Sequence, residues 1–192
     1  MKKYRTIIAD PPWPDVSTSI GKGGRRKNVT ELPYEPMSYW QIMSVHVPSV
    51  MDADCALFLW STRRSFRNGA AYKVARAWDF SPCGEIIWGL PNAGTGAPPF
   101  GNDHEPVLVA KRGNPRIEHE DYLGVWFWKQ VYEYGPAGVP QKVHSAKPPG
   151  FYELIEQITD GPRLELFART QRLGWDTWGD EAFQHVDLGL VS

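Results

Sequence analysis

The chain has 192 residues, room for one domain with a sizeable core and little for a second. Its 42% hydrophobic and 22% charged residues exclude wholesale disorder, and a formal net charge of −1 excludes an all-round basic surface, so any phosphate-binding surface is local or a partner supplies it. Two cysteines without a CxxC pair and five scattered histidines give neither a disulfide framework nor metal-ligand spacing, and no apolar run is long enough for a membrane span or a signal peptide, so a metal-free, cytoplasmic protein is expected.

Thr6–Ala9 reads as a short strand that halts at Asp10-Pro11-Pro12-Trp13, because consecutive prolines cannot continue a ladder. The 18 glycines and 17 prolines concentrate in three predicted loops, about 14–36, 91–103 and 135–150. Ser38 suits a helix N-cap ahead of Tyr39, Trp40, Ile42, Met43 and Val45. Ala56–Trp60 reads as a buried strand. Phe66, Ala70, Val74 and Trp78 fall every four residues and predict one helix face. Glu85–Trp88 and Val107–Ala110 read as further strands, and Tyr122–Val131 is aromatic without a clear period. Phe151, Leu154, Ile155 and Ile158 predict a helix after the third loop, and Arg163–Arg169 a strand. Strands alternating with helices argue a single α/β domain over 1–192, with helices on both faces of the sheet. In such folds ligands bind beyond the carboxyl ends of the strands, which is where Asp10-Pro11-Pro12-Trp13 falls.

That tetrapeptide carries specific chemistry. An exocyclic aromatic amine is a poor nucleophile, because its lone pair is delocalised into the ring. A carboxylate (Asp10) and a backbone carbonyl (Pro11) can each accept one N–H and favour a more tetrahedral, more nucleophilic nitrogen. Pro12 holds Pro11 extended, and Trp13 offers a flat face on which an unstacked base can rest. The same residues also suit an ordinary strand-to-loop turn with a capping Asp and a packed Trp.

Further blocks settle the comparison. Asp10-Pro11-Pro12-Trp13 with 32–38, the strands at 57–60 and 85–88, His104-Glu105 through 111–115, His144-Ser145-Ala146-Lys147-Pro148, 164–169 and 175–181 follow one another in order. Together they resemble the MT-A70 family, whose members methylate adenine N6 in messenger RNA and in microbial and phage DNA. The resemblance covers about residues 5–181. It implies a permuted Rossmann-like, three-layer α/β/α methyltransferase fold with the catalytic strand first, and S-adenosylmethionine as cofactor.

The resemblance also implies roles. Asp10 and Pro11 would hold the target amine, Trp13 would stack on the adenine, and Tyr34 and Glu105 would line its pocket. Ala9 and Asp10 would touch the cofactor's methionine end, and Lys147, beside His144, would pair with its carboxylate. Glu165, Phe167 and Arg169 would line the ribose and methionine region, and Gly179, Asp180 and Glu181 would reach the ribose and adenine. Asp180 and Glu181 are carboxylates where well-known members carry amides; a carboxylate still accepts bonds from ribose hydroxyls. Lys22, Arg25, Arg26 and Lys27 suit a phosphate-gripping lid, and Arg63, Arg64 and Arg67 form a second basic cluster.

The implied substrate is DNA or RNA with an accessible or flipped adenine, with DNA favoured. Two other readings stay open: methylation of cytosine N4, and a silent nucleic-acid-binding subunit of a methyltransferase complex. A homo- or hetero-dimer is compatible with all of them.

Overall fold

The computed structural model describes residues 2–14, 35–89, 104–118, 125–127, 132–134, 140–142, 147–180, 182–183 and 185–188. Four strands form the centre of a seven-stranded sheet: β1 (Tyr4–Ala9), β2 (Met51–Trp60), β3 (Ser81–Gly89) and β4 (His104–Arg112). β5 (Val125–Phe127) edges the sheet beside β3. β6 (Tyr132–Tyr134) and β7 (Pro140–Lys142) make a separate two-stranded ribbon. β8 (Arg163–Leu166) and β9 (Trp175–Trp178) complete the other side, giving the order β5-β3-β4-β2-β1-β8-β9. β1 is parallel to β2 and β8, β8 is parallel to β9, and β4 alone in this sheet runs in reverse, antiparallel to both β2 and β3.

Alternation along the strands divides the core between the two faces. Ile7, Ala9, Leu57, Leu59, Leu108 and Ala110 join one cluster, under the helices α1 (Tyr39–Met43) and α3 (Ala70–Ala77). Ile8, Ala56, Phe58, Trp60, Val107 and Val109 join the other, under α4 (Pro149–Ile158). The central strands are therefore apolar on both sides, and the layers are helix, sheet, helix, as expected. Each large side chain fully buried here stabilises the fold by roughly 1.5–3 kcal/mol.

Local chemistry sets the boundaries. Ser38 caps α1 by accepting from the Gln41 N–H, while the Gln41 side chain reaches back to the Ser38 N–H. The single helix expected through Phe66 and Trp78 is two: α2 (Arg63–Arg67) and α3, parted at Asn68-Gly69. Gly69 has φ 79, and the Asn68 carboxamide oxygen takes the Ala70 N–H, starting the second helix. The strand expected through Arg169 stops at Leu166, because Phe167 turns the chain with φ 61. β9 lacks a visible period in sequence; it exists by pairing with β8.

Candidate active site at the carboxyl edge of the sheet

Register brings the ends of the strands together. Ala9 pairs with Leu59 and Leu166, Leu166 with Trp178, Trp60 with Val107 and Trp88 with Glu105. Because β4 is reversed, its first residues lie at the same edge as the last residues of its neighbours. Asp10, Ser61, Phe167, Gly179 and Glu105 thus share one rim.

Asp10 leaves β1 with its N–H on the Leu166 carbonyl at 3.4 Å. The Lys147 ammonium lies 3.1 Å from the Asp10 carboxylate and 3.2 Å from that of Glu105. It also sits 4.7 Å over the ring of Trp60. Lys147 stands immediately before Pro148, the N-cap of α4, as the sequence suggested. Its side chain is 10% exposed, against 30% for Asp10 and 37% for Glu105, so two carboxylates look outward past one buried ammonium. Burial raises the Asp10 pKa, and Lys147 opposes the rise. Burial acts to lower the Lys147 pKa, but Asp10 and Glu105 outweigh it and hold the ammonium well above its ordinary range.

The proline turn differs from expectation in two respects. The Pro11 carbonyl already accepts the Trp13 N–H at 2.8 Å, and the Pro12 carbonyl accepts the Met37 N–H at 2.8 Å. The turn is therefore tied down by N–H groups of the chain, and Pro11 keeps one lone pair for a further donor. Trp13 is 3% exposed rather than open-faced. Its indole N–H donates to the Trp60 carbonyl at 2.9 Å and its ring packs 6.2 Å from Tyr39, since a buried indole N–H needs an acceptor. In this arrangement Trp13 anchors the turn.

A second cluster lies alongside. The Tyr152 hydroxyl donates to Glu165 at 2.6 Å, and the Arg172 guanidinium sits 3.7 Å over the Tyr152 ring. Burial raises the Glu165 pKa, with the Tyr152 hydrogen bond and Arg172 opposing it. Burial also raises the Tyr152 pKa, so this phenol is a donor at any ordinary pH. The Arg172 Nε is buried without a partner among the described residues, and so is Trp60 Nε1. Phe167 packs between Trp78 and Trp178. Gly179 is buried, and a side chain there would overlap the Ala168 carbonyl, so the β8 and β9 ends approach too closely for any other residue.

Of the residues singled out in sequence, Asp10, Glu105 and Lys147 meet directly. Pro11 and Pro12 shape the turn, and Glu165, Phe167, Arg169, Gly179 and Asp180 lie on or just beyond the adjoining strand ends. Ala9 is fully buried, its methyl in the core. Tyr34, His144, Glu181 and the Lys22, Arg25, Arg26 and Lys27 loop fall outside the described residues. Sequence reading missed Tyr152, which sits in the apolar stripe of α4 and looks there like a packing aromatic; only its pairing with Glu165 reveals it. No helix among the described residues is long and apolar enough to cross a membrane.

The chain is similar in sequence to known proteins. Over 204 residues the chain is 30% identical to the human N(6)-adenine-specific methyltransferase METTL4, covering 99% of this chain and 40% of that protein. It is 30% identical over 200 residues to the type II methyltransferase M.MunI of Mycoplasma sp, covering 94% of this chain and 78% of M.MunI. It is 29% identical over 196 residues to the N6-methyladenosine RNA methyltransferase MTA1 of Pyricularia oryzae, covering 93% and 46%. The chain therefore spans less than half the length of METTL4 and of MTA1. The MT-A70 family profile matches residues 4–181, and the chain belongs to the MT-A70 family.

Proposed function

We propose that this chain transfers a methyl group to the N6 amine of adenine in nucleic acid, with S-adenosylmethionine as donor. The observation that carries the reading is the Asp10 carboxylate, fixed at the strand end by the proline turn and held 3.1 Å from the buried Lys147.

The residues at the rim fit the cofactor. Its methionine carboxylate needs a cation, and Lys147 has a third N–H beyond the two directed at Asp10 and Glu105. Its ammonium and ribose hydroxyls need acceptors, which Glu165 and Asp180 supply. The Arg172 Nε, in the same region and without a partner among the described residues, is a donor for a further acceptor. When bound, the cofactor supplies an electrophilic methyl group.

The chain's own part is to prepare the amine. Asp10 accepts one N–H of the amine, and the free lone pair of Pro11 accepts the other, which localises the nitrogen lone pair. Lys147 opposes the rise that burial imposes on the Asp10 pKa. Once nitrogen carries positive charge, Asp10 takes up the proton it sheds, a task that suits a carboxyl whose proton affinity burial has raised. Trp13 fixes the angle of the turn from below. The base must leave its stack to reach this rim, so the substrate is single-stranded or flipped.

DNA is the favoured substrate in this reading, and relatives named for adenine methylation and for RNA methylation both match at similar identity. The test is incubation with methyl-labelled S-adenosylmethionine and matched single-stranded DNA, duplex DNA and RNA, followed by mass spectrometry of the nucleosides. N6-methyladenine from a DNA pool is the expected result. Label on RNA alone reverses the substrate preference, label on cytosine overturns the base assignment, and no label in any pool overturns the reading.

A further inference from the structure

A chain of net charge −1 carries, among its described residues, a segment of opposite character. Residues 63–77, which are α2, Asn68-Gly69 and α3, hold Arg63, Arg64, Arg67, Lys73 and Arg76 and no acidic residue. Arg64, Arg67, Lys73 and Arg76 are exposed, and Arg63 is half-buried. The inner side of α3 is apolar, with Ala70, Ala71, Val74 and Ala75 against the sheet, so its cations lie outward.

The position of this segment matters as much as its charge. α2 begins three residues after Trp60, the last residue of β2 at the site rim, and the Trp60 carbonyl holds the Trp13 indole at 2.9 Å. α1 is joined to α2 through the Tyr39 hydroxyl, 3.4 Å from Ser65 Oγ and accepting from Asn68 Nδ2 at 3.2 Å. The next residue, Trp40, is 78% exposed, whereas Ile42 is the buried anchor of α1. From Gly69 the helix α3 leads towards Ser81, which pairs with Lys111 at the opposite edge of the sheet. Its eight residues span about 12 Å. Positive charge therefore starts beside the Asp-Pro-Pro-Trp turn and continues along the outer surface away from it, next to an exposed indole.

Cations in series beside an exposed aromatic ring are what a single nucleic-acid strand requires: charges for successive phosphates and a face for a base. We propose that the outer surface of α1, α2 and α3 carries the strand that flanks the target adenine. Phosphates lie along Arg64, Arg67, Lys73 and Arg76, and one flanking base stacks on Trp40. This rests on the nucleic-acid reading above, and it adds where the strand runs.

The test uses the whole chain and a fluorescently labelled, adenine-containing single-stranded DNA 20-mer, with affinity measured by anisotropy across a salt series. The variant R64A/R67A/K73A/R76A is expected to bind at least tenfold more weakly, and the slope of log affinity against log salt should shrink by about 2–3, near 0.7 for each phosphate no longer neutralised. Trp40→Ala is expected to weaken binding about tenfold with the slope unchanged. In both, S-adenosylhomocysteine binding and thermal melting should match the wild type, and in methyl transfer KM for the oligonucleotide should rise with kcat within about threefold. Unchanged affinity and slope in the quadruple variant, with the wild type still binding and methylating the DNA, overturn this inference alone. A wild type that neither binds nor methylates the oligonucleotide overturns it together with the reading beneath it.

Discussion

Two aspartates, each with a lysine on its carboxylate, stand at opposite edges of the sheet and behave in opposite ways. Asp176, near the start of β9, receives Lys2 at 2.7 Å and the Tyr4 hydroxyl at 2.5 Å. Burial acts to raise its pKa, but the hydrogen bonds from Lys2 and Tyr4 outweigh it, and the group lies below the usual carboxylate range. Asp10, at the other edge, has Lys147 at 3.1 Å, yet burial prevails and its pKa rises. The difference lies in the surroundings. Asp176 has two donors, one of them the half-exposed Lys2, and ionises easily. Asp10 shares one buried ammonium with a second carboxylate, Glu105, which itself pushes the Asp10 pKa up. The first arrangement holds two strands together. The second holds a carboxyl whose charged form burial disfavours, the pattern of a functional site.

The largest effect on this contrast is expected from Lys147→Met, which removes the ammonium that Asp10 and Glu105 share and leaves Asp10 only the weaker pull of Arg169. Stability should fall by about 2–3 kcal/mol in denaturant unfolding, moderated because both carboxylates reach solvent. The acid limb of the activity profile should move to higher pH, because the group that opposes the rise in the Asp10 pKa is gone. Glu105→Gln should move the same limb to lower pH. A limb that shifts the same way in both variants, or in neither, breaks the assignment of that limb to Asp10.

Trp13→Phe sharpens the contrast from below. It keeps an aromatic ring in the core but leaves the Trp60 carbonyl without its donor, so about 1–2 kcal/mol of stability should be lost. If Trp13 acts as an anchor, the oligonucleotide KM should change little while kcat falls; a rise in KM with kcat intact would restore the stacking role.

The smallest effect is at the far edge. Asp176→Asn should cost about 1 kcal/mol or less at pH 7, since Lys2 is half exposed. The sign follows from the lowered pKa: the stability Asp176 contributes is fully present above the unfolded carboxyl value, near 4, and is lost as pH falls through the lower folded value. The gap between wild type and variant in thermal melting should therefore close below about pH 4, with methyl transfer at neutral pH unaffected.

Much of this architecture is legible in the sequence, for physical reasons that can be named. Strands such as 56–60 and 107–110 are apolar on both faces, and a sheet covered on both sides is the only place for them. Ser38 announces a helix start, because a serine there can cap the first free N–H groups. The split at Gly69 is missed because the four-residue period of Phe66, Ala70, Val74 and Trp78 is genuine: all four pack on the same cluster, across a break in the helix. β9 and the early end of β8 depend on partners distant in sequence. In the site, Asp10 and Lys147 stand out as members of ordered motifs. What no pattern reveals is that they touch each other from opposite ends of the chain, that Glu105 joins them, or that Tyr152 serves Glu165. Burial of Trp13 is equally invisible, because a tryptophan after a turn reads the same whether its ring faces a base or the Trp60 carbonyl.

If Asp10 is the group that prepares the amine, single-turnover methyl transfer by Asp10→Asn must show it. The rate on an adenine-containing DNA oligonucleotide is measured alongside S-adenosylhomocysteine affinity and unfolding free energy. The expected outcome is a rate at least about 10²–10³-fold lower, with unfolding within about 1 kcal/mol of the wild type, since the burial cost of the lost charge offsets its pairing with Lys147. A variant that folds, binds S-adenosylhomocysteine and transfers methyl at the wild-type rate would rule out this role for Asp10.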